Sequence, residues 1–251
     1  VISSVTIVEV LERAQQGITR PFLCRGDDDR LYYVKGRAAG CRSLCCEWIA
    51  GNLAKDVGLP LPEFLIAEVP EALVRDSCHS EINDLGSGFV FASLRVEGAR
   101  EITWPEAQSC KMDEKAAVLI FDWWVQNEDR SLSVHGGNPN LLTTSYKKHS
   151  SKLWVFDFNL AFDLNFSEDK FRANHLFYDL LSEWPLGFRE SLSEKMKIAF
   201  ERLDELFAAL PEEWLYFEGD ENLTVHLDKN LVSSILSKPF SEPDYFWKSL
   251  L

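Results

Sequence analysis

An α+β chain of two lobes, strand-rich first and helical afterwards, is what the order of patterns along the sequence predicts. Three observations carry that expectation. Short β-prone runs fill most of residues 1–94, with one amphipathic helix among them. From about Pro105 the helical periodicity takes over, and the change lies close to a polar hairpin. The lobes are therefore drawn as residues 1–94 and 95–251.

"TIVEVLERAQQ" (6–16) starts as a β-branched apolar run and passes into a short helical pattern. "PFLCRGDDDRLYYVKG" (21–36) is an apolar stretch, an acidic turn and a second β-prone stretch, the pattern of a hairpin. In "RSLCCEWIAGNLAKDVG" (42–58), Leu44, Trp48, Ile49 and Leu53 recur at helical spacing, and Gly58 followed by Pro60 ends the helix. "LPEFLIAEV" (61–69) and "GFVFASL" (88–94) predict two more strands. Helices are predicted over 112–126, 174–184, 191–210 and 222–238, and in the third Met196, Ala199, Leu203 and Leu206 share one face. Between the first two of these lie strands at 140–144 and 152–158, joined by a solvated turn at 146–152.

With 251 residues the chain can bury a large core, and its 46% apolar content is that of a globular protein. The formal charge of −14 opposes a nonspecific grip on phosphate backbones, so nucleic acid is not expected as a partner. Six cysteines form no CxxC pair, and the adjacent Cys45 and Cys46 read as small buried hydrophobes. No apolar run approaches the roughly 20 residues of a membrane span. A cytoplasmic protein without a membrane span is the expectation.

Five places carry candidate chemistry. Lys35 ends the β-prone "LYYVK", and an ammonium in a central strand needs an anion such as a phosphate or a carboxylate. Glu47 follows among Leu44, Trp48 and Ile49, where a carboxylate asks for a cation. Asp129, with Arg130, comes directly after the aromatic "FDWWVQNE", at a loop where a carboxylate can accept a proton from a hydroxyl. Asn138 and Asn140 in "GGNPNLL" offer neutral amide oxygens suited to Mg²⁺. Asp157 sits between Val155, Phe156 and Phe158, where an ionised carboxylate needs compensation that a metal ion can supply. Singly, each also reads as an edge lysine, a solvated glutamate or a turn residue.

A strand Lys, a helix Glu, a loop Asp, a loop Asn and a strand Asp-Phe, in that order, are the parts of protein-kinase phosphoryl transfer. The sequence resembles the HipA-like kinases, in particular their compact form, through "YVKG", "CEWIAGNLAKDVGLPLPEF", "NEDRSLSVHGGNPNLL" and "VFDFNLAF". "GLPLPEF" and "NPNLL" are the most specific of these, and the resemblance covers roughly residues 20–180. It implies a two-lobed protein-kinase-like fold and an ATP- and Mg²⁺-dependent kinase that transfers the γ-phosphoryl group to a hydroxyl of protein Ser or Thr. By position it implies Lys35 on the nucleotide phosphates, Glu47 as its partner and Asp129 as catalytic base. Asn138 or Asn140 would be on Mg²⁺, with Asp157 as the main metal ligand. Phe91, Ala92, Ser93 and Leu94 would form the hinge whose backbone meets adenine. The implied partners are ATP and a protein substrate or regulator.

Three departures from the kinase pattern bear on activity. The signature puts its metal Asn roughly five positions after the catalytic Asp. Here Asn138 and Asn140 follow Asp129 by nine and eleven positions, with "SLSVHG", including a loop His135, as the insertion. The "RGDDDR" tip brings Asp27, Asp28 and Asp29 where bare backbone N–H groups usually meet phosphate. "DFN" replaces "DFG", and Asn159 is less free than Gly to take left-handed angles. A nucleotide-binding pseudokinase or interaction module without transfer is the alternative these departures support.

Overall fold

A computed structural model describes residues 5–14, 19–146, 150–179, 187–217, 220–224 and 227–250. The chain begins with β1 (Val5–Arg13), β2 (Phe22–Gly26), β3 (Leu31–Lys35) and a 3-10 turn (Arg37–Ala39). α1 (Cys41–Val57), β4 (Phe64–Val69), α2 (Glu71–Asp76), α3 (Ile82–Leu85) and β5 (Gly88–Leu94) follow. Next come β6 (Arg100–Glu101), α4 (Trp104–Ser109), α5 (Met112–Trp124), β7 (Ser131–Ser133) and β8 (Gly136–Asn138). β9 (Leu141–Tyr146), β10 (Ser150–Val155), α6 (Glu168–Asn174), α7 (Phe188–Glu201) and α8 (Leu203–Ala208) continue the chain. A 3-10 turn (Glu212–Trp214), β11 (Tyr216–Phe217), β12 (Asp220–Thr224), α9 (Lys229–Ser241) and α10 (Pro243–Leu250) complete it. The fold is mixed α+β, with strands concentrated in the N-terminal part and helices in the C-terminal part.

Two compact units divide the chain. The first takes residues 1–48, 62–97 and 210–226, and the second takes 49–61, 98–209 and 227–251.

In the first unit the strands close a barrel in the order β1-β2-β3-β5-β4, sealed by parallel pairing of Val5 with Ala67 and Thr6 with Glu68. Closure removes the free edges that an open sheet would present. Alternating side chains turn inward, so that Ile7, Phe22, Cys24, Tyr32, Val34 and Ala92 share one core. Gly36, directly after Lys35, is required by contact: a Cβ there would stand 2.0 Å from the carbonyl oxygen of Leu85 at the end of α3. A late stretch of chain completes this unit. Trp214 is buried, its indole Nε1 donates to the Phe89 carbonyl at 2.9 Å, and Glu213 Oε1 accepts from Phe89 N at 2.5 Å. On its other side the Cys45 thiol of α1 donates to the Trp214 carbonyl at 3.5 Å. This 3-10 turn is a strut between β5 and α1.

The second unit is built around α5, whose Ala116, Leu119, Ile120, Phe121, Trp123 and Trp124 are all buried. A helix apolar on so many faces must lie inside. Phe121 meets Phe158 and Trp124 edge to face, and Trp123 meets Phe171 in the same way. Fully burying each such ring stabilises the fold by about 1.5–3 kcal/mol. The β9–β10 hairpin pairs Leu141 with Val155, which fixes Asn140 and Phe156 at its open end.

The elements depart from the sequence reading where a side chain redirects the backbone. The segment at 6–16 stays in β1 through Arg13 and does not turn helical over the described residues. The helix expected over 174–184 ends instead at Asn174, and 175–179 form a bridge and turns, while 180–184 lie outside the described residues. His175 leaves the helix because its ring is bound to Asp122. The helix expected over 222–238 begins only at Lys229, where the Asp228 side chain caps Asn230 N at 2.8 Å, and residues 222–224 belong to β12. The helix expected over 191–210 is broken at Arg202 into α7 and α8. Within the turn expected at 146–152, residues 147–149 lie outside the described residues.

Candidate active site

Of the sequence-derived candidates, Lys35, Glu47 and Phe91–Leu94 lie in the first unit, and Asp129, Asn138, Asn140 and Asp157 in the second. Lys35, the last residue of β3, and Glu47, two turns into α1, form a buried ion pair with Nζ 2.5 Å from Oε1. Their side chains are 9% and 2% exposed. The ammonium that looked costly in the strand is thus met by the carboxylate that looked costly on the helix.

The "RGDDDR" tip is exposed, and its charges are engaged locally. Asp28 accepts from Tyr32 Oη at 2.6 Å and from Arg30 Nε at 2.7 Å, and Asp27 Oδ1 accepts from Thr6 N at 3.1 Å. Burial works against ionisation of Asp28, but the hydrogen bonds from Tyr32 and Arg30 outweigh it and hold its pKa below the usual carboxylate value.

Phe91, Ala92, Ser93 and Leu94 are a correction. They are not a linker but the body of β5: Phe91 pairs with Lys35 and Ile66, Ala92 with Val34 and Leu65, and Ser93 with Tyr33 and Phe64. Leu94 pairs with Tyr32 and donates its N–H to the Glu63 carbonyl at 2.7 Å. Backbone groups shared with strands on both sides are not free to meet a base.

In the second unit the insertion between Asp129 and the asparagines folds as a hairpin of its own. Ser131 pairs with Asn138 and Ser133 with Gly136, with Val134 and His135 at the exposed tip. Gly137 is required by close approach, since a Cβ there would stand 2.5 Å from the Ser131 carbonyl oxygen. The hairpin returns the chain to its start. Asn138 Nδ2 and Asn140 Nδ2 both donate to Asp129 Oδ2, at 2.9 and 3.1 Å. The long spacing that departed from the kinase pattern is absorbed in this way. Asn138 is exposed and Asn140 is buried.

Asp157 follows β10, and the Phe156 N–H donates to the Asn140 carbonyl at 3.2 Å, so Asn140 and Asp157 flank one hydrogen-bonded junction. Both have left-handed backbones, with φ 47° at Asn140 and 63° at Asp157. Asn and Asp tolerate this region better than other non-glycine residues, yet each still costs about 1 kcal/mol. The pKa of Asp129 is raised, first by burial and then by the Asp157 charge, against the hydrogen bonds from Asn138 and Asn140 and the charge of Arg130.

Sequence reasoning passed over a buried network under this cluster. Asp122 Oδ2 takes hydrogen bonds from Arg130 Nε at 2.6 Å and His175 Nε2 at 3.0 Å. Asp122 Oδ1 takes them from Asn127 Nδ2 at 3.0 Å and Arg130 at 3.3 Å. Since His175 Nδ1 accepts from Phe177 N at 3.2 Å, the proton is on Nε2, and burial holds the pKa of this imidazole down despite Asp122. Burial also opposes the charge of Asp122, but Arg130 and His175 outweigh it and hold its pKa below normal. The cue in the sequence was an Asp between Phe121 and Trp123, the same kind of cue that singled out Asp157.

The donors suit a hard divalent cation. Asp157, Asp129 and the two amides offer oxygen only, and with both Nδ2 atoms turned to Asp129 an amide would ligate through Oδ1. Among the described residues no group of three or more His, Cys, Asp or Glu forms a metal cluster, so phosphate oxygens and water would complete the shell. Also among the described residues, no helix is long and apolar enough to cross a membrane.

A family model described as HipA-like kinase matches residues 7–250. The chain belongs to the HipA-like kinase family. Membership in the HipA-like kinases gives it a kinase-type function, and the match extends well past the stretch that carried the resemblance in sequence. No curated protein is similar to it in sequence. Among solved structures it is similar to one described as a Helicobacter pylori proinflammatory kinase CtkA. The TM-score is 0.49 at 12% identity, over 98% of this chain and 96% of that one. The likeness is too distant to carry roles across.

Proposed function

We propose that the chain is an ATP- and Mg²⁺-dependent kinase that transfers the γ-phosphoryl group to a hydroxyl of a protein Ser or Thr. In this reading residues 1–94 and 95–251 act as the N-lobe and C-lobe of a two-lobed kinase. Lys35, oriented by Glu47, meets the nucleotide phosphates, and adenine is met by backbone beyond β5, from Val96 on. Asp129 accepts the acceptor hydroxyl's proton, the acceptor oxygen bonds to the γ-phosphorus, the bond from that phosphorus to the β–γ bridging oxygen breaks, and ADP leaves. Asp157 and Asn140 would hold Mg²⁺, which neutralises charge on the phosphates. Asn140 is preferred to Asn138 because it is buried and adjoins the Phe156 junction.

The observation that supports this most is the convergence of both amides on Asp129 Oδ2. It leaves Oδ1 to take the proton. The alternative, nucleotide binding without transfer, draws on the acidic tip with its single glycine.

Thermal unfolding with ATP, with and without Mg²⁺, tests the site in wild type and Asp157→Ala. ATP at about 100 times its Kd adds roughly 2.7 kcal/mol, a shift of several degrees. The Mg²⁺-dependent part of that shift should vanish in Asp157→Ala. Phosphoryl transfer from γ-labelled ATP to Ser or Thr of a protein mixture then separates the two readings. A Mg²⁺-dependent shift without any transfer would favour the binding module, and no shift at millimolar ATP would reject both.

A further inference from the structure

Arg130 is fully buried, and its contacts go beyond charge neutralisation. One edge of the guanidinium, Nε and one terminal nitrogen, is bound to the two oxygens of Asp122, at 2.6 and 3.3 Å. The other terminal nitrogen donates to three main-chain carbonyls: Asn140 at 2.5 Å, and Pro139 and Phe156 at 3.3 Å each. Those carbonyls belong to the peptides on both sides of Asn140 and to the peptide that leads into Asp157. Asn140 and Asp157, beside those peptides, both have left-handed backbones. Nothing in the local sequence forces those angles, because neither residue is glycine and neither lies inside a strand. A planar fork with fixed donor directions can enforce them, whereas a point charge on a flexible stem cannot.

We propose that Arg130, held in orientation by Asp122, is a positioning residue that sets the placement of Asn140 and Asp157 as cation donors by gripping the peptides beside them. The inference deepens the kinase reading and rests on it. His175 extends the device, since its Nε2–H occupies the remaining site on Asp122 Oδ2, and the Leu176 N–H donates to the Arg130 carbonyl at 3.0 Å. The segment after α6 is therefore tied to Asp122 through the His175 side chain and to the Arg130 main chain through the Leu176 N–H.

Binding of Mn²⁺ in the presence of saturating ADP, read by electron paramagnetic resonance, tests the proposal on Arg130→Lys and Asp122→Asn. Near-UV circular dichroism checks folding, and ADP affinity without metal is the reference. Positioning predicts Mn²⁺ affinity at least about 10-fold weaker in each variant, with metal-free ADP affinity within about 2-fold of wild type. Amide hydrogen exchange should rise at 138–142 and 155–158 and stay unchanged in α5. The double variant should be no weaker than the worse single one, as expected of two residues acting as a unit. Folded variants with wild-type Mn²⁺ affinity and exchange would overturn the proposal while leaving the kinase reading intact. A wild type that binds ADP but no Mn²⁺ would overturn the kinase reading and this proposal with it. Variants that do not fold would make the cluster a folding element and overturn the positioning role.

Discussion

Lys35 and Glu47 neutralise each other at 2.5 Å inside the first unit, whereas Asp129 in the second has its pKa raised by burial and then by the Asp157 charge, against hydrogen bonds from two neutral amides. The second region gathers two carboxylates, and the Arg130 guanidinium beside them is bound to Asp122 and to main-chain carbonyls. The difference teaches where a ligand's free energy would go. A nucleotide phosphate approaching Lys35 must share the lysine with a carboxylate already in place, while a cation arriving at Asp157 relieves a repulsion.

The contrast can be broken most forcefully at Asp129. Asp129→Asn is expected to lower phosphoryl transfer by about 10²–10⁴-fold, the usual worth of a positioned base, with MgATP affinity within about 2-fold. Parallel turnover and calorimetric titration read both quantities, and a variant that keeps full turnover removes Asp129 from the chemistry.

Lys35→Met sharpens the other half. Leaving Glu47 buried without its partner should cost about 3–5 kcal/mol in urea unfolding, and Lys35→Met with Glu47→Leu should regain most of it. A double variant no better than the single one would mean that the pair is not self-contained.

Asp129→Asn should also raise the unfolding midpoint of the ligand-free protein by roughly 2 °C, because the amide removes a repulsion and its oxygen still accepts from both asparagines. Lys35→Met moves stability the opposite way, so the two variants together measure the asymmetry directly.

The smallest effect lies outside both regions, in the capping box of α4. Arg100 and Thr103 hold the Glu106 pKa down, from 4.5 to about 2, with Arg100 the largest influence. A lowered folded pKa contributes stability that is fully present above 4.5 and fades as pH falls toward 2. Glu106→Gln should therefore cost about 0.5–1 kcal/mol at neutral pH, given solvent screening, and flatten the acid limb of a stability profile.

Much of this was legible beforehand because it rests on local rules. The β2–β3 hairpin, α1, β4, β5, α5 and the β9–β10 pair follow from alternation, helical spacing and turn residues. The Lys35–Glu47 pair could be anticipated because each residue was out of place alone. What stayed hidden depends on long-range partners. The end of α6 is decided by a bond from His175 to Asp122, 53 positions earlier in sequence, which no window on 174–184 contains. The run Phe91–Leu94 reads as strand, and only the resemblance made it the hinge; nothing in an apolar run shows that both its edges are paired. The Asp122 network escaped because its members are scattered over α5, the loop that follows it and the end of α6.

The Trp214 strut has a consequence for how the protein is made. The residues that fasten β5 to the Glu47-bearing helix are translated only after more than a hundred residues of the other unit, an interval on the order of ten seconds of synthesis. Through that interval the growing chain already carries Lys35 and Glu47 but not the indole that braces their helix. The barrel strands, made before the bulk of the other unit, are therefore braced only after it, and the nascent chain holds an unbraced barrel until Trp214 emerges.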